Sequence, residues 1–279
     1  LPDLGWVLAL DTGDDTIDDT VELGTAPWVR PLGEFLEHEV ATLDARTTDP
    51  EAPLQIMFTS GTTGDPKGIV GSNFRFCGAA MLGHFFGYGS DERPYTGLSL
   101  THGNAQSVTL APALHMGLRA VYSRRFTRSR LWDVCREHGC TTFSILGGIA
   151  TAIYSETPRS DDADNPVRLV ISGGMPAALW EAFEDRFDLR ILEFYGAMDG
   201  GGVAWKPIDE GPIGSFGKPI GGTEMRILDE AGNECPPGVI GEICCRPEGG
   251  DATIDYHGDP DASQRKIRSG WNRSGDMGH

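Results

Sequence analysis

Ten consecutive residues, Thr59-Ser60-Gly61-Thr62-Thr63-Gly64-Asp65-Pro66-Lys67-Gly68, bring together four hydroxyls, three glycines and one lysine. Glycine lets backbone N–H groups approach an anion closely, hydroxyls add donors, and lysine adds a mobile positive charge. Such a loop can cradle a phosphate. It is not the Walker arrangement. Lys67 follows Pro66 rather than glycine, and Gly68 takes the place of the Ser or Thr that would hold magnesium. Gly/Ser/Thr loops also serve as plain connections, but this whole string is a narrower pattern than a lone Gly-Thr-Thr-Gly.

The elements around it explain how the loop is held. Leu54 to Thr59 is an apolar run that reads as a buried strand leading into the loop. Asn73 is a candidate cap for a helix from Phe74 to about Phe86, since Phe74, Cys77, Met81, Leu82, Phe85 and Phe86 share a stripe. A strand near Thr96 to Leu100, a helix from about Asn104 to Leu118 and a strand over Arg119 to Tyr122 follow. Ser129 is placed to cap a helix that Gly139 ends. Strands at Thr141–Leu146, Val167–Ser172 and Leu189–Tyr195 alternate with helices from Ile149 to Tyr154 and from Pro176 to Phe187. Before all of these, Asp11 to Thr20 reads as an acidic loop and Pro31 to Leu43 as a helix.

Strands alternating with helices predict an α/β fold, a mostly parallel sheet covered by helices on both faces. After about Gly202 the pattern changes to short strands and turns. Glu224–Asp229 and Val239–Cys245 flank a stretch rich in turn residues, which reads as an antiparallel hairpin. Three segments result: an acidic N-terminal segment at 1–53, an α/β core at 54–202, and a small β-rich, barrel-like module at 203–279.

The 279 residues carry 23 Lys plus Arg against 41 Asp plus Glu, a formal net charge of −18. Residues 1–51 hold 13 acids and only two bases, Arg30 and Arg46. An acidic chain repels phosphate backbones, which argues against a nucleic-acid partner. A polyphosphate must then be met locally, by backbone N–H groups or a lysine. The six cysteines form no Cys-x-x-Cys pair and no zinc spacing, and are expected to be reduced thiols in the core. There is no N-terminal signal and no apolar run near ~20 residues, so a soluble, cytoplasmic chain without a membrane span is expected.

The Thr59–Gly68 string resembles the phosphate-loop signature of the adenylate-forming (AMP-binding) superfamily, which includes acyl-CoA synthetases, adenylation domains of peptide synthetases and luciferases. Further stretches are similar to that family in the same order. They are Leu98 to Gln106, Ser172-Gly173-Gly174-Met175-Pro176, Phe194-Tyr195-Gly196-Ala197-Met198-Asp199, Gly214 to Pro219, Gly241-Glu242-Ile243 and Trp271-Asn272-Arg273-Ser274-Gly275-Asp276. The resemblance covers about four-fifths of the chain, from Leu54 onward.

The resemblance implies a two-step reaction. A carboxylate attacks the α-phosphate of ATP to give acyl-AMP, and CoA then takes the acyl group. It implies that Ser60, Thr62, Thr63 and Lys67 hold the β- and γ-phosphates, with Thr59, Gly61 and Gly64 completing the nucleotide-binding loop. Gly173, Gly174 and Gly196 let the backbone approach the nucleotide, Tyr195 stacks on adenine, and Asp276 binds the ribose hydroxyls. Thr62, Lys67, His102 and Asp199 are the implied catalytic residues. The acid pocket would be lined by His102, Asn104, Gln106, Ala197, Met198 and Gly200. Asp199 would hold magnesium, although Asp replaces the family's Glu, and Met198 replaces a Thr whose hydroxyl reaches a phosphate. A weaker magnesium site follows as the expectation.

The acid expected is a fatty acid or a carnitine-like one, in fatty acid metabolism. Alternatives are an adenylation domain for another acid and a noncatalytic ATP- or AMP-binding module. A homodimer is a further expectation. The resemblance also implies a fragment lacking an N-terminal part and the C-terminal lid, because the chain stops at His279, so that it binds nucleotide but adenylates poorly alone.

Overall fold

The computed structural model describes residues 7–9, 29–31, 49–59, 66–123, 125–200 and 202–279. Contacts divide the chain into two units, Leu1–Thr48 and Asp49–His279. In the first, strand β1 (Val7–Ala9) pairs parallel with β2 (Val29–Pro31). The acidic loop at 11–20 and the helix expected from Pro31 to Leu43 lie outside the described residues.

The second unit opens with β3 (Pro53–Thr59) and β4 (Lys67–Ser72), an antiparallel pair in which Thr59 faces Lys67. The expected buried strand is therefore a strand, but not a buried one. Among the described residues it pairs only with β4, and Leu54, Ile56 and Phe58 are exposed while Met57 is covered. Helices α1 (Asn73–Ala80) and α2 (Leu82–Phe85) follow. The cap is Ser72 rather than Asn73, its hydroxyl accepting from the Arg75 N–H at 3.3 Å. Only Leu82 and Phe86 of the expected stripe are buried. Phe74, Cys77, Met81 and Phe85 are exposed.

Next come β5 (Pro94–Thr96), a π-helical turn (Ala105–Leu110), α3 (Ala111–Met116) and β6 (Val121–Tyr122). The strand expected at Thr96–Leu100 thus ends where it was expected to begin, because a Thr96 side chain already accepts from the Leu98 N–H and turns the chain. Helix α4 (Leu131–His138) ends at Gly139 with φ 61°, as expected, but Ser129 lies in a 3-10 turn and does not cap it. Then β7 (Thr142–Leu146), α5 (Gly147–Tyr154), β8 (Leu169–Gly173), α6 (Trp180–Phe187) and β9 (Arg190–Gly196) alternate, close to the sequence pattern.

Strands β10 (Val203–Trp205) and β11 (Lys218–Ile220) complete a seven-stranded sheet of order β11-β10-β9-β8-β7-β5-β6. Five strands, β9 to β6 in that order, run parallel, and β10 and β11 turn antiparallel at one edge. Side chains alternate across each strand. On β8, Val170 packs with Trp132, Phe183 and Phe187 on one face, while Leu169 and Ile171 pack with Phe86, Val108 and Leu192 on the other. Both faces are covered, which is why β7, β8 and β9 are nearly continuous apolar runs.

The β-rich part is a four-stranded antiparallel sheet. It holds β12 (Thr223–Leu228), β13 (Gly241–Pro247), β14 (Ile267–Arg268) and β15 (Trp271–Gly278), with helix α7 (Pro260–Lys266) leading into β14. The hairpin expected here is β12–β13. All six cysteines are free thiols, and four of them, Cys135, Cys140, Cys244 and Cys245, are buried. Among the described residues no helix is long and apolar enough to cross a membrane.

Candidate functional site

The C-terminal ends of β8 and β9 present the site, as parallel sheets generally do. Strand β8 runs into Gly173-Gly174. Gly174 has φ 90°, a conformation that favours glycine. The turn lies against the start of α5 so closely that a Cβ on Gly147 would sit 2.1 Å from the Gly174 carbonyl oxygen.

The turn is fixed from β9. Glu193 is buried, and its carboxylate accepts from the Gly174 N–H and, at 3.1 and 3.3 Å, from the Met175 N–H. Burial pushes its pKa up to about 7, although these N–H groups oppose the shift. Sequence reasoning missed Glu193. Its signal was a lone acid inside the apolar run Ile191-Leu192-Glu193-Phe194.

Two residues along, the Tyr195 hydroxyl donates to Asp276 Oδ2 at 2.8 Å. Burial raises the tyrosine pKa and the Asp276 charge raises it further, so the hydroxyl keeps its proton. Phe216 stacks on the Tyr195 ring with centroids 4.9 Å apart, which occupies one face. Asp276 itself is exposed on β15.

Asp199, beyond the end of β9, is held from several sides. Its Oδ2 is 2.5 Å from Lys266 Nζ and accepts from the Tyr256 hydroxyl at 3.1 Å. Its main-chain oxygen accepts from Asn272 Nδ2 at 2.6 Å. Gly200, at φ 87°, leaves room for that amide, since a Cβ there would lie 2.8 Å from Asn272 Nδ2. Lys67 Nζ sits 5.3 Å over the Tyr256 ring, and Arg75 donates to the Met198 carbonyl. Lys266, Tyr256, Asn272 and Arg75 were not anticipated. They come from distant or unpatterned sequence.

These donors do not fit a magnesium ion at Asp199. Magnesium wants several oxygen ligands in octahedral array. Here one carboxylate oxygen is already shared by an ammonium and a hydroxyl.

The acid-pocket residues divide. His102 is exposed at its surface, partial burial lowers its pKa, and its Nδ1 accepts from the Asn104 N–H at 3.1 Å. Gln106 is engaged within the protein, accepting from Gln55 at 2.8 Å and donating to the Leu100 carbonyl at 2.8 Å. Asn104 is buried, and among the described residues neither side-chain amide atom has a partner. Met198 fills the space beside Gly103, where an added Cβ would lie 2.4 Å from its Cγ and Sδ. Ser60, Gly61, Thr62, Thr63 and Gly64 lie outside the described residues. Of the loop, Thr59 and Lys67 are placed, facing each other across β3 and β4.

The chain is 30% identical over 282 residues to the medium/long-chain-fatty-acid–CoA ligase FadD17 of Mycobacterium marinum, covering 99% of this chain and 54% of that protein. It is 30% identical over 267 residues to the sulfoacetate–CoA ligase of Cupriavidus necator, covering 94% of this chain and 52% of the relative. The chain thus spans about half the length of the curated relatives it matches. Its fold is that of O-succinylbenzoate coenzyme A synthetase from Bacillus subtilis, solved in complex with AMP. The TM-score is 0.75 at 22% identity, over 99% of this chain and 56% of that one. The AMP-binding enzyme family model matches residues 7–250, and the chain belongs to that family.

Proposed function

We propose that this chain is the part of an acid–CoA ligase that binds ATP and the acid. A carboxylate oxygen attacks the α-phosphorus, the bond to pyrophosphate breaks, and the acyl-AMP formed passes its acyl group to the CoA thiol. Both relatives carry acid–CoA ligase names, which supports this class. The observation that carries it is the alignment along β9. Glu193 holds the Gly173-Gly174 turn and Tyr195 holds Asp276, so a nucleotide base and its ribose have adjoining partners.

Asp276 accepts from the ribose hydroxyls, and the Tyr195 hydroxyl orients it. Lys67 supplies positive charge where the phosphates leave, and the backbone of the Thr59–Gly68 loop adds N–H donors. His102 and Asn104 border the acid. Protein groups here align reactants and offset charge rather than form covalent bonds.

A fatty acid is the first substrate reading. The buried, unpartnered amide of Asn104 favours a second, an acid carrying its own polar group. Pyrophosphate exchange over a panel of fatty, aromatic and polar acids tests both. Exchange with fatty acids alone supports the first, and exchange confined to polar acids supports the second. No binding of ATP or AMP by calorimetry would remove the whole proposal.

A further inference from the structure

Lys266 stands where the family resemblance sets a cation of another kind. Its Nζ lies 2.5 Å from Asp199 Oδ2, and both side chains are largely covered, 16% and 14% exposed. A second ammonium donor goes to the Ser274 carbonyl oxygen at 3.0 Å. Lysine has three such donors, so one is left for a further acceptor. Tyr256 then links this pair to the phosphate-loop lysine. Its hydroxyl donates to the same Oδ2, and Lys67 Nζ lies 5.3 Å over its ring. Arg75 approaches from the other side, bound to the Met198 carbonyl and attracted by the Asp199 charge.

A divalent ion entering at Asp199 would share the carboxylate with an ammonium already at contact distance from Oδ2 and would sit beside that positive charge. A polyphosphate entering the same place meets positive charge already fixed to the protein. We propose that Lys266 is the resident cation of this site, so that the nucleotide phosphates are met by its ammonium and not by a magnesium ion held on Asp199. The inference rests on the nucleotide reading above. In it Lys266 binds phosphate directly, Ser274 positions its ammonium, and the Asp199 carboxylate competes with the phosphate for it.

The test is titration calorimetry of ATP on the full chain, in magnesium and in EDTA, with AMP as reference ligand. The native chain and the variants Lys266→Met, Lys266→Arg and Asp199→Asn are compared. Native ATP affinity is expected to differ less than about threefold between the two conditions. Lys266→Met is expected to lose about tenfold or more in EDTA and to regain part of it with magnesium, whereas Lys266→Arg stays near native and AMP moves less than ATP. Asp199→Asn frees the ammonium and is expected to strengthen ATP binding in EDTA.

Native ATP binding that rises more than about tenfold with magnesium overturns the proposal. So does a Lys266→Met chain that binds ATP in EDTA as well as native. Should Lys266→Met not fold, a fall in ATP affinity for Asp199→Asn in EDTA overturns it equally. AMP binding with magnesium-dependent ATP binding defeats this inference alone. Loss of both AMP and ATP binding by the native chain defeats the nucleotide reading and this inference with it.

Discussion

The Tyr195 hydroxyl donates to Asp276 Oδ2 at 2.8 Å across 81 residues of sequence, joining the end of β9 in the parallel sheet to β15 in the antiparallel one. Asp276 is exposed, so its removal should spare the fold and act on the ligand. Asp276→Asn is expected to weaken AMP and ATP binding about 10- to 100-fold, the worth of one charge-assisted hydrogen bond pair. Calorimetry reads the affinity, and an unchanged melting curve shows that the loss is local.

Glu193 gives the fold a pH signature. Its ordinary pKa is 4.5, and burial raises it to about 7 in the folded chain. Between those values the folded state keeps a proton that the unfolded chain has released, so stability falls as pH rises through that window. Glu193→Gln keeps an acceptor and removes the titration. The native chain's stability relative to this variant is expected to drop from pH 5 to 7.5, by at most about 3 kcal/mol. Urea melts at several pH values measure it, and a flat difference would contradict the buried carboxylate.

Gly147 is a packing requirement of the Gly173-Gly174 turn. A Cβ there would meet the Gly174 carbonyl oxygen at 2.1 Å and its carbon at 3.1 Å, both backbone atoms with nowhere to rotate. Gly147→Ala is expected to cost about 2 kcal/mol or more and to lower the melting temperature by about 4–8 °C. AMP affinity should fall with it, since the turn must move. Gly148→Ala is the control, because nothing lies within 4 Å of its added carbon.

Gly103 and Met198 form a coupled pair. Gly103→Ala alone drives a Cβ into the thioether and is expected to cost about 1–3 kcal/mol. Adding Met198→Ala opens the space, so the double variant should be more stable than the sum of the singles predicts. A double-mutant cycle checks this, and a coupling below about 0.5 kcal/mol would separate the two residues.

The alternating elements could be read from sequence because apolar runs and glycine or proline stops recur with the period of a covered parallel sheet. Only the family resemblance gave Tyr195 and Asp276 to one ligand; the structure brings the two side chains together, and their direct hydrogen bond was not foreseen. The expected burial of Leu54–Thr59 failed because an apolar run records hydrophobicity, not which partner covers it. Lys266 was invisible for a different reason. A lysine in Gln264-Arg265-Lys266 looks like a solvated helix end, and only the three-dimensional return of α7 toward Asp199 gives it a partner. Glu193 was passed over although it is an acid in an apolar strand, and its use required knowing that two N–H groups of the Gly174-Met175 turn face it.

The stretch from Glu193 to Asp199 spans seven residues and reaches the glycine turn, Asp276 and Asn272 on β15, and Lys266 at the end of α7. Side chains on a strand alternate, so one residue inserted between Glu193 and Tyr195 would turn the Tyr195 side chain to the wrong face. Length is therefore held more tightly here than identity. Insertion scanning should find this stretch intolerant of a single extra residue, while the exposed turn between β12 and β13 accepts several.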